Sequence, residues 1–334
     1  MTDLLGAMAE ARLGWTSPTI AAWYAEHDLL EQLRVGLATE AGRVADADFG
    51  GELRDMVGAF EGTEDPLAWA NRRLDLPAGG WAVTGIRFRG GDRSRPFVDV
   101  IATSEPPTPD GLALVAEAVL PAYAEFAPLC LRVGAPEAHA LVVELHDDPA
   151  FEPGCCAVDM LVVAGLVEEL RAHPRAAAYP SVSLRSGRPD ELARRVSEIY
   201  AELSESEPSL AQWANPEDEE SLSACAEEGL LFEVLVDDVG AGVVAALRYD
   251  AHAMTGFSVQ ELCLDSAHRG RRLAPATVQH VVDLLPARAG DVLWGTIDPG
   301  NQRSLRNALS LGRVAVGGYV WVTPRGLPGM SSTT

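Results

Sequence analysis

The sequence predicts an α/β protein: mixed sheets flanked by helices, with the element order of the second half echoed in the first. Three observations carry this. Short apolar runs alternate with helix-period segments along the chain. Leu231–Val236 and Ala241–Tyr249, joined by Asp237-Asp238-Val239-Gly240, read as a β-hairpin. Leu262–Ala274 reads as the end of a strand, a basic Gly-containing turn and the first turn of a helix.

In the first half, residues 1–17 are expected to be frayed. Ser17-Pro18 opens an amphipathic helix through about Leu33, with Pro in the first turn. Helical segments follow over Gly51–Phe60 and Pro66–Leu74. Gly80–Arg89 and Pro96–Thr103 read as strands joined by the turn cluster Gly90–Ser94. Pro109–Phe126 is helical, Leu129–Val133 and Val158–Val163 are strand-like, and Gly165–Ala172 is a short helix. Ala176–Pro180 reads as a linker. The expected division is 1–175, 180–323 and a tail, 324–334.

In the second half, Pro189–Ser204 and Pro216–Glu228 read as helices. The strand ending Leu262-Cys263-Leu264 is followed by a helix with Ala274, Val278, Val281, Val282 and Leu285 on one face. Asp291–Asp298 is a strand. Asn301 opens a helix carrying Ser304, Leu305, Ala308 and Leu311, and Gly312 suits its C-terminus. Gly317–Val322 is a last strand.

Composition bounds the function. The chain has 334 residues, 47% hydrophobic and 22% charged, enough for about two soluble domains. No apolar run approaches a membrane span, and no secretory signal is expected. The net charge is −23, and all 26 basic residues are Arg. That balance argues against nucleic acid and anionic membrane as partners. Five scattered cysteines fit reduced thiols in the cytoplasm. The seven histidines show no metal-ligand spacing, so no metal is expected.

The turn at 265–274 carries chemistry. A helix N-terminus with free N–H groups suits phosphate. Arg269, Arg271 and Arg272 add cationic donors. At Arg269-Gly270-Arg271-Arg272-Leu273-Ala274 the chain resembles the GNAT N-acetyltransferase superfamily. Its Arg/Gln-x-x-Gly-x-Gly/Ala turn cradles the acyl-CoA pyrophosphate. Arg272 stands at the central Gly position, a departure. Asn301, Ser304 and Gly312 fall at the offsets of the family's fourth helix. The resemblance covers roughly 180–323. The first half then reads as a degenerate second GNAT-like copy or as an unrelated α/β domain. Its Ser104–Pro109 connection has no basic Gly turn, so CoA is not expected there.

The resemblance implies an acyl-CoA-dependent N-acyltransferase using acetyl-CoA or another acyl-CoA, with an amine acceptor. Backbone N–H groups of Leu262, Cys263 and Leu264 would polarise the thioester. The turn, with Asn301 and Ser304, would hold the donor; Asn301 reads equally as a helix cap. The family's usual base position is Gln260, which takes no proton. Glu261 is adjacent but faces the other way by strand alternation, unless a bulge intervenes. Ser258 shares the face of Gln260. The family's thiolate-protonating Tyr falls at Ala308. The loop between the first two helices of the domain would wall the acceptor site. Trp213, Glu217 and Glu220 there suit a cationic amine, and the acids equally suit a helix dipole. A silent CoA-binding or scaffold protein, and a transferase using a carrier-protein or aminoacyl donor, stay open. Oligomeric state is not legible.

Overall fold

A computed structural model describes residues 3–207 and 216–330. The chain forms two compact units. The first comprises Met1–Leu161, Ala251–Ala253 and Val316–Thr334; the second comprises Val162–Asp250 and Met254–Ala315.

The first unit begins with α1 (Leu4–Leu13) rather than a frayed end. Asp3 accepts from Gly6 N at 3.0 Å, and Met8 is buried against Val83, Ile101 and Ala102. The helix expected from Pro18 breaks into α2 (Pro18–Trp23) and α3 (Glu26–Gly42), because Tyr24 and Ala25 are extended. After α4 (Ala47–Val57), Asp65 caps the single-turn α5 (Pro66–Trp69). The chain then leaves the expected helix to form β1 (Arg72–Asp75), paired antiparallel with β2 (Trp81–Phe88). A cross-strand partner here outweighs local helix propensity. Next come β3 (Pro96–Thr103), α6 (Pro109–Val119), β4 (Leu131–Ala135) and α7 (Ala138–Asp147).

The strand order in this unit is β1-β2-β3-β4, followed by β11 (Val314–Val322). The pairs β1/β2, β2/β3 and β4/β11 are antiparallel, and β3/β4 is parallel. Gly317–Val322 was expected to close the second domain, but Gly318–Val322 pairs with Leu131–Ala135 of the first unit. The first core packs Trp69, Tyr123, Phe126, Leu112 and Leu145 against Val98, Val100, Leu131, Val133, Val320 and Val322. Each such aliphatic side chain contributes roughly 1.5–3 kcal/mol on burial.

β5 (Ala157–Leu166) runs from the first unit into the second, where α8 (Val167–Ala172) follows. The expected linker at 176–180 is packed instead. Gln279 accepts from Ala176 N and donates to Pro174 O, both at 2.8 Å, and Tyr179 stacks on His280. The second unit continues with β6 (Val182–Ser186), α9 (Pro189–Ser206), α10 (Glu219–Glu227), β7 (Leu231–Val236), β8 (Val239–Arg248) and β9 (Gly256–Leu264). It ends with α11 (Leu273–Leu284), β10 (Val292–Ile297) and α12 (Gln302–Ser310). Its order is β10-β9-β8-β7-β6, antiparallel except for the parallel β9/β10 pair. One face carries α9 and α10 over Leu231, Val243, Ala245 and Cys263. The other carries α11 over Phe232, Val234, Val244, Phe257 and Leu293. Among the described residues, no helix is long and apolar enough to cross a membrane.

Candidate active site

The site grows from the parallel pair. β9 and β10 are in register only at Gly256↔Val292, Phe257↔Leu293 and Ser258↔Trp294, and then part. Gly256 permits the junction: at φ +143°, a Cβ there would stand 2.2 Å from Val292 O. The start of β10 is held by Asp291, whose carboxylate takes Arg248 at 3.0 and 3.1 Å. Beyond Ser258 and Trp294, each strand offers backbone groups the other does not use. Parting parallel strands open a slot for an extended, hydrogen-bonding ligand.

A bulge on β9 sets what faces the α9/α10 side. Ala245 pairs with Glu261 and Ala246 with Val259, so Gln260 has no partner. The extra residue reverses the alternation. Leu262 and Leu264 pack toward α11 with Phe257, whereas Cys263 packs toward α9 and α10. Glu261 turns the same way as Cys263. The expectation that it faces away from Ser258 is corrected by this register.

Glu261 is 3% exposed. Its Oε1 accepts from Tyr200 Oη (3.1 Å) and Leu262 N (2.9 Å), and Oε2 accepts from Glu217 N (3.4 Å). Burial pushes its carboxyl up to about 7, against the pull of these hydrogen bonds. The same burial drives the Cys263 thiol far above its ordinary value, so it stays protonated. Glu261 is therefore a carboxyl poised to gain or lose a proton near neutrality. Ser258 is buried and Gln260 half-buried beside it. The Leu262 N–H, expected to polarise a thioester, is donated to Glu261 instead.

The basic turn divides its arginines. Arg269 is structural: Nε donates to Leu264 O at 2.8 Å and Nη2 to Ile199 O at 3.4 Å. Arg271 and Arg272 are exposed and partnerless among the described residues. Arg272 adopts φ 57°, ψ 34°, the left-handed conformation that a Gly would take at that point of the turn, and Gly270 has φ 73°. No side chain caps α11, so the N–H groups of Leu273 and Ala274 remain for a ligand. Arg195 ties Asp265 (2.7 Å) to Glu233 (3.3 Å) below the turn.

The remaining expectations separate. Asn301 Oδ1 accepts from Ser304 N at 3.0 Å, the capping geometry, which commits both residues to α12. Ala308, where the resemblance implied a tyrosine, is a fully buried methyl. Asp218 caps α10 through Ser221 N at 2.8 Å, and Glu220 is exposed in its first turn. Glu217, by contrast, meets Glu261. Trp213 lies outside the described residues. Tyr200 was missed. It extends the Leu192, Val196, Ile199 stripe of α9, and only its hydroxyl distinguishes it from packing.

The first unit repeats the parallel pair, Val98–Val100 with Leu131–Val133, without the cradle. Thr108 caps α6 by accepting from Gly111 N at 3.3 Å. Arg12 Nη1 donates to Gly134 O at 3.1 Å, just where β3 and β4 stop pairing. The protein's own side chains thus occupy the features that stay open in the second unit.

Neither a family model nor a curated protein matches the sequence. Solved structures do. A GCN5-related N-acetyltransferase from Sphaerobacter thermophilus aligns with TM-score 0.50 and 16% identity, over 88% of this chain and 96% of that one. A GNAT-family acetyltransferase from Colwellia psychrerythraea gives 0.44 and 10%, over 74% and 81%. A tandem GNAT protein from the clavulanic acid biosynthesis pathway gives 0.43 and 15%, over 86% and 97%. At 16% identity the Sphaerobacter likeness shows the fold alone: a GNAT-like mixed α/β architecture, here with its parallel strand pair present twice.

Proposed function

We propose that the second unit is an acyl-CoA-dependent N-acyltransferase, with acetyl-CoA the simplest donor and a small amine the acceptor. The observation that carries this is the slot between β9 and β10, with the uncapped N-terminus of α11 at its rim and Glu261 buried on one of its strands. The residues suit such a donor. Leu273 N–H, Ala274 N–H, Arg271 and Arg272 would hold the pyrophosphate, since a left-handed turn before a helix presents its N–H groups to phosphate. A bound donor supplies the acyl group as a thioester. Glu261 accepts the proton of the incoming ammonium, leaving a neutral amine able to attack. Tyr200 and Leu262 N–H hold its carboxylate in one orientation. With Ala308 buried, no side chain of α12 is needed as an acid, because a thiolate leaves without one. The five cysteines are free, which fits a reducing cytoplasm.

Calorimetry on the full chain tests the reading. Acetyl-CoA should bind, and Arg271→Ala with Arg272→Ala should weaken it about 10- to 100-fold. No heat at millimolar CoA would end the proposal.

A further inference from the structure

Arg313 stands just before β11, in the short connection that follows α12, within the second unit. Its residue is 5% exposed, yet its side chain makes no hydrogen bond or ion pair among the described residues. Its Nε is buried without a partner. Among the described residues no carboxylate offsets its burial, which pulls its guanidinium down to about 10. A buried cation with nothing opposite it is costly, and native chains seldom keep one without a counter-charge. The second unit's other well-buried charged side chains have their partners: Asp291 has Arg248, and Glu261 has three donors.

The place of Arg313 says where its counter-charge comes from. Its Nη1 lies 4.0 Å from the point where a Cβ on Gly295 would stand. Gly295 is the first residue of β10 beyond the last pair, Trp294↔Ser258. The nearest other atoms to that point belong to Val259, the first residue of β9 past the same pair: its O at 3.9 Å and its Cβ at 4.0 Å. Glycine at 295 leaves room for a methyl group in ordinary contact with these atoms, and the Arg313 guanidinium borders this apex of the slot. In the reading above, the rim of the slot holds the donor's phosphates, so the apex receives the far end of the donor, its acyl group.

Resting on that reading, we infer that the acyl group carried by this enzyme ends in a carboxylate, which pairs with Arg313 at the apex between β9 and β10. The donor class is the CoA thioester of a short dicarboxylic acid, of which succinyl-CoA is the probe. Arginine suits such a pairing because its planar fork meets a carboxylate with two parallel N–H groups. Acetyl-CoA fits the same slot but leaves the guanidinium bare.

The test is calorimetry on the full chain with CoA, acetyl-CoA, butyryl-CoA and succinyl-CoA. Butyryl matches succinyl in length without its charge. Succinyl-CoA should bind about 10- to 100-fold more tightly than butyryl-CoA, as a charge-assisted pair formed in a buried setting requires. Arg313→Met should erase that preference while leaving CoA affinity unchanged. Its thermal midpoint without ligand should equal or exceed that of the parent, since an unpaired buried charge has gone. Arg313→Lys keeps the charge and should keep part of the preference. The parent chain's ranking of the thioesters stands even if a variant misfolds. Binding of CoA with equal affinity for butyryl- and succinyl-CoA overturns the inference alone. Equal weakening of all the thioesters by Arg313→Met also overturns it, assigning Arg313 to a part they share. Absence of CoA binding removes the acyltransferase reading and this inference with it.

Discussion

Replacing Glu261 by Gln should separate activity from stability in opposite directions. The carboxyl titrates at about 7 when folded and near its ordinary 4.5 when unfolded. The folded chain therefore holds more protons between those values, and its stability falls as pH rises from about 4.5 to about 7. That difference corresponds to ~3 kcal/mol lost by pH 8. Gln carries no such loss. Its oxygen keeps the donors at 3.1 and 2.9 Å, Tyr200 and Leu262 N. Its amide nitrogen then faces Glu217 N, formerly at 3.4 Å from Oε2, a mismatch costing about 1 kcal/mol. The variant should be more stable by about 2 kcal/mol at pH 8, and no more stable at pH 4, by urea unfolding. If Glu261 takes the ammonium proton, the same variant should lose about 10²–10⁴-fold in kcat/KM. The parent's rate should climb through pH 7, where the variant's is flat. Full activity in the variant would make the carboxyl structural. An unfolding profile with the parent's pH slope would show that burial does not perturb it.

Arg272→Gly should stabilise the chain by roughly 0.5–1 kcal/mol in urea, since it relieves a left-handed arginine against the added freedom of the unfolded chain. It should also weaken CoA binding, as one cation is lost. Ala308→Tyr should destabilise the fold by ~1–3 kcal/mol or more, because a ring must replace a fully buried methyl; the thermal midpoint reports it. Tyr200→Phe should leave folding intact but shift the rate's pH midpoint upward, as one donor to the Glu261 carboxylate disappears. An unmoved midpoint would mean the contact is packing only.

Local pattern carried the second unit well. The hairpin of β7 and β8, the helix face of α11, and the Asn301 cap each depend on residues close in sequence. The bulge did not show, because it is a mismatch between β8 and β9 that only pairing reveals: Gln260 is unmatched because Ala245 and Ala246 take its neighbours. The burial of Arg313 has no local signal either; an arginine after a helix reads as a solvated C-terminal cation. The N-terminal residues were expected to fray, yet α1 places Met8 in a core and Arg12 against Gly134. Arg269 looked like a phosphate ligand, but its partner Ile199 O is 70 residues away.

The exchange of β11 has a consequence for how the chain is made. β4 leaves the ribosome long before its neighbour β11 is synthesised, and contacts of such separation form slowly. During translation the first unit waits with one side of β4 unpaired, an exposed edge open to wrong partners. A message truncated just before β11 yields a product lacking this strand, although almost all of the proposed catalytic unit has been read. β11 thus reports that the message has been read through it. Quality control in the cell would meet an aggregation-prone first unit in every copy cut short before this strand, and a closed one only when the message has been read through it.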